Sequence, residues 1–426
     1  MKKVALFAGL AALGAIPGFA QSPINFNARG LVVVSDADMA ASALVDGKLL
    51  RDNTAKDLLT TIKFPVERGS AGLGSALVSN SALASGKTLA VPSTGTLAYV
   101  LDSRLRPEDG VAEYKDPSKE FPAGEKLFVV DIANLGAPKA KFGFAVGKKP
   151  NAIDVNKNEL ILSTNEAGKE LVFIEAGPDG KPARFLNLPA AIDTANKIVD
   201  ITWHPSGDFI AFTLDNSNEV GLYKVIREAG KLKNVELVGK PIKVGTEPSF
   251  GRFSADGKHY FVLDTKSPTP GKATGEGEIH VVNFSMDGAI EHKVAAQVPA
   301  GTNTGSFAIS PDGSMLVTVN AGKSGAPWTE AGSGKGASLT LYKVTATTGA
   351  LTKVADYPFE GIYPQSVAFD KDGSNIAVSV FEYLAYGTGN GGVEFWTVAK
   401  GDSPSLKKQE AMISVGKGAH TLRVIP

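Results

Sequence analysis

The sequence predicts an all-β fold, a seven-bladed β-propeller closed by pairing of its N- and C-terminal strands, and three observations carry the prediction. A hairpin spelling recurs along the chain, a third alternating strand follows each copy, and both ends hold strands without partners. The hairpin is an apolar run, a short turn ending in Gly, and a second apolar run.

The copies are clearest at ITWHPSGDFIAFTLDN, GRFSADGKHYFVLDTK, FAISPDGSMLVTVNAG and VAFDKDGSNIAVSVFE. Their turn glycines, Gly207, Gly257, Gly313 and Gly373, lie 50, 56 and 60 residues apart. A period of that size marks a repeat architecture. Two weaker copies precede them, LAVPSTGTLAYVLDS from Leu89 and AIDVNKNELILSTNE from Ala152. Alternating third strands follow (KLFVVDI, ELVFIEA, EVGLYKV, EIHVVNF, SLTLYKV, GVEFWTV), then more polar fourth strands such as LTKVADYPF. Four antiparallel strands per unit describe a propeller blade. Six blades are complete. The C-terminal GAHTLRVIP supplies a first strand, and ARGLVVVSDADMAASALVDGKLL supplies second and third strands of a seventh, so the termini pair and leave no open edge. Gly and Asp in the turns serve turn geometry, and Asp36, Asp102, Asn165, Asp215, Asp264 and Asn320, at second-strand ends, are expected to shape turns.

Residues 1–20 read as a signal peptide: Lys2 and Lys3, an apolar run over 4–16, then Gly18-Phe19-Ala20 as a cleavage site. Residues 21–426 form the propeller domain. The apolar run is too short to span a bilayer, and no other segment is long enough. The expected product is periplasmic or secreted. Cysteine is absent from all 426 residues, which excludes disulfides, thiolate metal sites and a lipoprotein anchor. Lys plus Arg, 44, equals Asp plus Glu, 44, so nucleic acid is not an expected partner. A monomer is expected, with no cofactor.

The pieces SPDGSMLVTVN, SADGKHYFVLD, DKDGSNIAVSV and LTLYKV resemble the seven-bladed lactonase and YVTN-type propellers, which include 6-phosphogluconolactonase-like proteins. The resemblance implies the fold over residues 28–426. It also implies, for enzymatic members, a His or Arg before first strands and an Asn-Glu after second strands. The Asn-Glu persists here only at Asn165-Glu166.

In a propeller, loops leading into first strands and loops joining second to third strands share one face. They would bring together Asn151, Lys197, Glu247, Arg252, Asn303, Tyr363, Gln365, His420 and Arg423. Long second-to-third connections at 103–125, 265–277, 321–337 and 382–391 suggest a lid on that face, contributing Trp328, Tyr383 and Tyr386. Two functions remain open. One is a scaffold binding a small molecule, glycan or protein under the lid. The other is a lactone hydrolase with His420 as base, Arg252 or Arg423 as oxyanion donor and Glu247 as orienting carboxylate. The scattered histidines, without HExxH, give no metal site. The Ser-, Ala- and Gly-rich segment 67–86 reads as a loop or short helix over the rim, without chemistry.

Overall fold

The computed structural model describes residues 23–52, 54–66, 72–266, 276–383 and 390–426; the leader 1–20, Tyr386 and much of the 265–277 and 382–391 connections lie outside them. Seven antiparallel sheets run in chain order. From the channel outward, blade one is Ala419–Ile425, Gly30–Ser35, Leu58–Lys63 and Leu73–Leu77. Blade two begins at Leu89–Ala90, blade three at Ala152–Asn156 and blade four at Ile198–Trp203. Blades five, six and seven begin at Pro248–Phe253, Thr304–Ile309 and Ile362–Phe369. The last strand pairs antiparallel with Gly30–Ser35, so the ring is closed by the termini.

The third strand of blade one differs from expectation. It is Leu58–Lys63, whereas residues 37–50 form a buried loop with one helical turn, Ala43–Asp46, ended by Gly47 at φ 81°. The Ala- and Leu-rich run has Val45 as its one β-branched residue, too little to hold it extended. The turn glycines behave as read: Gly207, Gly257, Gly313 and Gly373 have φ of 79°, 75°, 69° and 69°, a region where a Cβ is costly.

Each pair of adjacent blades shares one apolar cluster, such as Phe173, Trp203 and Phe212 between blades three and four. Phe250, Phe307 and Tyr342 fill the interface of blades five and six. A blade therefore buries its faces only against neighbours, which is why the hairpin repeats. At the closure, Leu422 of the last strand packs with Leu31, Val33, Ala377 and Phe395.

Second-strand Asx residues do more than shape turns. Asn165 Oδ1 accepts from Asn151 Nδ2, Asp215 Oδ1 from Lys197 N–H, and Asn320 Oδ1 from Thr304 Oγ1. Asp264 accepts from Thr246 N–H and Glu247 N–H. In four successive blades this side chain ties down the loop leading into its own blade's first strand.

Because Leu422 is fully buried at the joint between first and last blades, Leu422→Ala should cost about 2–5 kcal/mol. Urea unfolding of the variant checks it, and a loss below about 1 kcal/mol would mean that the closure adds little to stability.

Candidate functional site

The site begins with the segment that the sequence left without a role. Residues 79–87 enter the central channel instead of lying on the rim. Ser81 caps a short 3-10 turn, Ala82–Ala84, by accepting from Leu83 N–H. Asp57 Oδ2 accepts from Asn80 N–H, and Asp36 Oδ2 from Ala82 N–H at 2.7 Å. At the lower end Gly86 O accepts from Arg423 Nη2 at 2.7 Å and Arg252 Nη2 at 3.2 Å. Arg252 also donates to Asp200 Oδ2 at 3.1 Å and stacks on Phe250, 4.0 Å from the ring centroid. Two guanidinium groups, from blades five and one, thus converge on one carbonyl of the plug. Burial and the neighbouring Arg252 charge lower the Arg423 pKa to about 10, while Asp154 and Asp200 offset the effect.

Above the plug an apolar cap covers part of the face. Met39, Leu44 and Leu49 from blade one pack with Ala82, Phe121, Ile362, Tyr363 and Phe381. Beside it lies a cavity of about 230 Å³ lined by loops of blades four to seven and by the plug. Lys87, Glu247, Asn303, Tyr363 and Gln365 supply its polar wall, and Leu83 and Phe250 supply apolar surface.

Three polar groups of this wall are underused. Lys87 Nζ donates one hydrogen bond among the described residues, to Ser249 O at 3.2 Å. Burial and Arg252 lower its pKa, against a raising contribution from Asp200. Burial, then Asp264 and Asp215, raises the Glu247 pKa. Gln365 Oε1 is buried with no hydrogen-bond partner. Buried polar atoms are normally satisfied, and those that are not call for a bound group. Asn303 and Tyr363 hold left-handed backbone, φ 53° and 51°, and a bulky residue there marks strain of the kind concentrated at ligand sites.

Residues 276–380 match the family described as Lactonase, 7-bladed beta-propeller. The chain has the lactonase-type seven-bladed propeller fold. Among solved structures it is similar to a periplasmic gluconolactonase of Pseudomonas aeruginosa, with 15% identity, 93% of this chain and 100% of that one covered, and a TM-score of 0.60. A candidate 6-phosphogluconolactonase of Bacteroides fragilis gives 15% identity, 93% and 98% coverage, and a TM-score of 0.60. A hypothetical selenium-binding protein of Sulfolobus tokodaii gives 10% identity, 95% and 94% coverage, and 0.59. No curated protein matches the sequence.

Within this lactonase-type propeller, Glu247, Asn303, Tyr363 and Gln365 meet at the cavity, and the other expected residues that are described lie elsewhere. His420 is fully buried: Nε2 lies 2.7 Å from Asn80 Oδ1 and Nδ1 lies 2.9 Å from Thr421 Oγ1. Asn80 Nδ2 donates to Ser35 O and Val78 O, which leaves Oδ1 to accept from Nε2–H. Thr421 Oγ1 accepts from Gly86 N–H and donates to Nδ1. The ring is thereby held neutral, and burial pushes its pKa down to about 3. Both nitrogens are engaged by the protein, an arrangement that suits anchoring the plug and not general-base chemistry. Arg252 donates to Gly86 O, Asp200, Thr202 and Gly251 O, Arg423 donates to Gly86 O and Leu422 O, and no hydrogen bond joins them or His420 to Glu247 among the described residues.

Asn151 donates to Asn165 and to Ile198 O, so it staples blades three and four. The Lys197 ammonium bonds Thr194 O at 3.4 Å. Tyr383 donates to the buried carboxylate of Glu394 at 2.8 Å. Trp328 is 61% exposed and lines a separate shallow groove with Ser42, Leu50 and Lys417. Lys87 was missed because it follows a segment of low-complexity appearance, although the lone cation before a first strand was a visible signal.

An unfolded histidine titrates near 6.5, and folded His420 near 3. Between these values the unfolded chain binds the extra proton, so stability falls as pH drops through that window. His420→Gln should therefore be less stable than wild type at pH 7, with a gap that narrows at pH 4.5. Urea midpoints at both pH values decide it; a constant gap would mean the ring does not titrate in this way.

Proposed function

We propose that this chain is an exported lactonase-like propeller that binds a small, oxygen-rich molecule, a sugar acid or its lactone, in the cavity beside the plug. The observation that carries the reading is the convergence of Lys87, Glu247 and Gln365 on that cavity with hydrogen-bonding capacity unspent. A cation, a carboxylate and an amide beside apolar Phe250 and Leu83 match a molecule with an acidic or carbonyl oxygen at one end and hydroxyls elsewhere. The signal-like residues 1–20 and the name of the Pseudomonas neighbour, a periplasmic gluconolactonase, support export and this ligand class. No helix among the described residues is long and apolar enough to cross a membrane.

Titration calorimetry of the full mature chain with gluconate, glucono-δ-lactone and neutral sugars tests the proposal. Lys87→Met and Glu247→Gln should each weaken binding about tenfold or more, since a hydrogen bond to a charged group contributes about 1.5–3 kcal/mol. Absence of heat with every sugar acid and lactone would end it.

A second reading, ring opening of a lactone, is favoured by one further observation: the two charged groups have pKa values shifted toward each other from opposite sides. Glu247 would take a proton from water while Lys87 holds the carbonyl oxygen as charge develops on it. Glu247 must be ionised, so turnover rises with pH through its raised pKa. Lys87 must be protonated, so turnover falls with pH below the ordinary lysine value. The expected kcat/KM profile is a bell whose acid limb disappears in Glu247→Gln, and a profile unchanged by that variant would remove Glu247 from the chemistry.

A further inference from the structure

We infer that Asp264, Glu278 and His280 of blade five form a binding site for a first-row divalent metal ion of the zinc type. The site shares no lining residue with the proposed sugar-acid cavity and rests on the pairing of two strands. Asp264 ends Tyr260–Asp264, and Glu278 and His280 lie near the start of Glu276–Asn283. In the antiparallel register Asp264 stands opposite Glu278, and Val262 opposite His280. Residues two apart on a strand share a face, so all three side chains project from one face of the hairpin.

The distances fit a common centre. His280 Nε2 lies 3.4 Å from Glu278 Oε2 and 3.9 Å from Asp264 Oδ2, and one ligand atom from each residue lies within 4.8 Å of the others. A metal held at about 2.1 Å by nitrogen and oxygen requires tetrahedral ligands about 3.4 Å apart. Neither contact is a well-formed hydrogen bond, and both are short enough to enclose an ion.

The histidine supplies the second argument. The chain has five histidines, all described. In His204, His259, His292 and His420 both ring nitrogens are hydrogen-bonded. His280 is 4% exposed, and neither of its nitrogens has a hydrogen-bond partner among the described residues. A buried imidazole without partners, aimed at two carboxylates, is an orphan that a metal satisfies. The carboxylates need the ion as well, because like charges directly opposite across a ladder repel. Lys266 Nζ lies 2.7 Å from Glu278 Oε1, while Glu278 Oε2 is the oxygen toward the histidine. Asp264 is oriented by three backbone N–H groups, of Thr246, Glu247 and Lys266. One imidazole with two carboxylates selects a zinc-like ion over calcium, which prefers six to eight oxygens.

The test is titration calorimetry of the tag-free, chelator-treated mature chain with Zn²⁺ and, separately, Ca²⁺, beside thermal unfolding with and without metal. Wild type should take up one equivalent of Zn²⁺ and unfold at a higher temperature with it. Glu278→Gln, a near-isosteric change at the partly exposed corner, should weaken Zn²⁺ at least tenfold, and His280→Gln should abolish the site. Absence of Zn²⁺ binding to folded wild type would overturn the inference and leave an ion-paired histidine. So would equal binding by wild type and Glu278→Gln, or a preference for Ca²⁺.

Discussion

The carbonyl oxygen of Gly86 is the point on which the middle of this ring depends. A propeller of seven blades leaves an axial channel, and the inner strands bring Arg252 and Arg423 toward it from blades five and one. Two guanidinium groups at such close quarters repel unless something negative stands between them. The plug provides the negative end of a peptide dipole, while the carboxyl groups of Asp200 and Asp154 stand behind it. Glycine suits that point, since φ is 76°, where a side chain is strained, and an added Cβ would press on the Phe250 ring at 3.2 Å. The plug thereby fills this part of the channel and ties both guanidinium groups to one carbonyl.

The plug's upper half follows from the same constraint. To reach Gly86 the chain must leave the outer strand of blade one, Leu73–Leu77, and cross the face, and buried carboxylates accept its amide hydrogens on the way. Asp36 and Asp57 sit close together, and burial raises both pKa values with mutual repulsion contributing at Asp36. His420 belongs to this mooring. Its hydrogen bonds run from Gly86 through Thr421 to Asn80, linking the C-terminal strand to the plug at both ends. The cavity is the space that the plug leaves uncovered on the side of blades four to seven.

The fold was legible because repeat spelling is local: turn Gly, apolar alternation and strand order are each encoded within about 15 residues. Even the shared first blade could be read, since unpaired strands at both ends have one economical solution. The candidate site was legible only in part. Glu247, Asn303, Tyr363 and Gln365 follow from the rule that loops leading into first strands face the channel mouth. His420, Arg252 and Arg423 obey the same rule, yet the plug absorbs them, and a plug belongs to no repeat. Segment 79–87 carries no motif, and most of it is Ser, Ala and Gly, small enough to enter a narrow channel. Lys87 gains its importance from where that segment ends.

The blade-five triad shows why linear spacing hides some chemistry. Asp264 and His280 are joined by a long connection, so no metal-ligand spacing exists along the chain; the ladder register alone sets them on one face. That register also makes Asp264 a hinge between two sites. Its carboxylate accepts the N–H of Glu247, whose side chain lines the cavity, and it faces His280 on the opposite side. An ion held by His280, Glu278 and Asp264 would fix the position of the Asp264 carboxylate and, through that hydrogen bond, the backbone from which Glu247 projects. Metal would then act on the cavity through position, without touching what binds there.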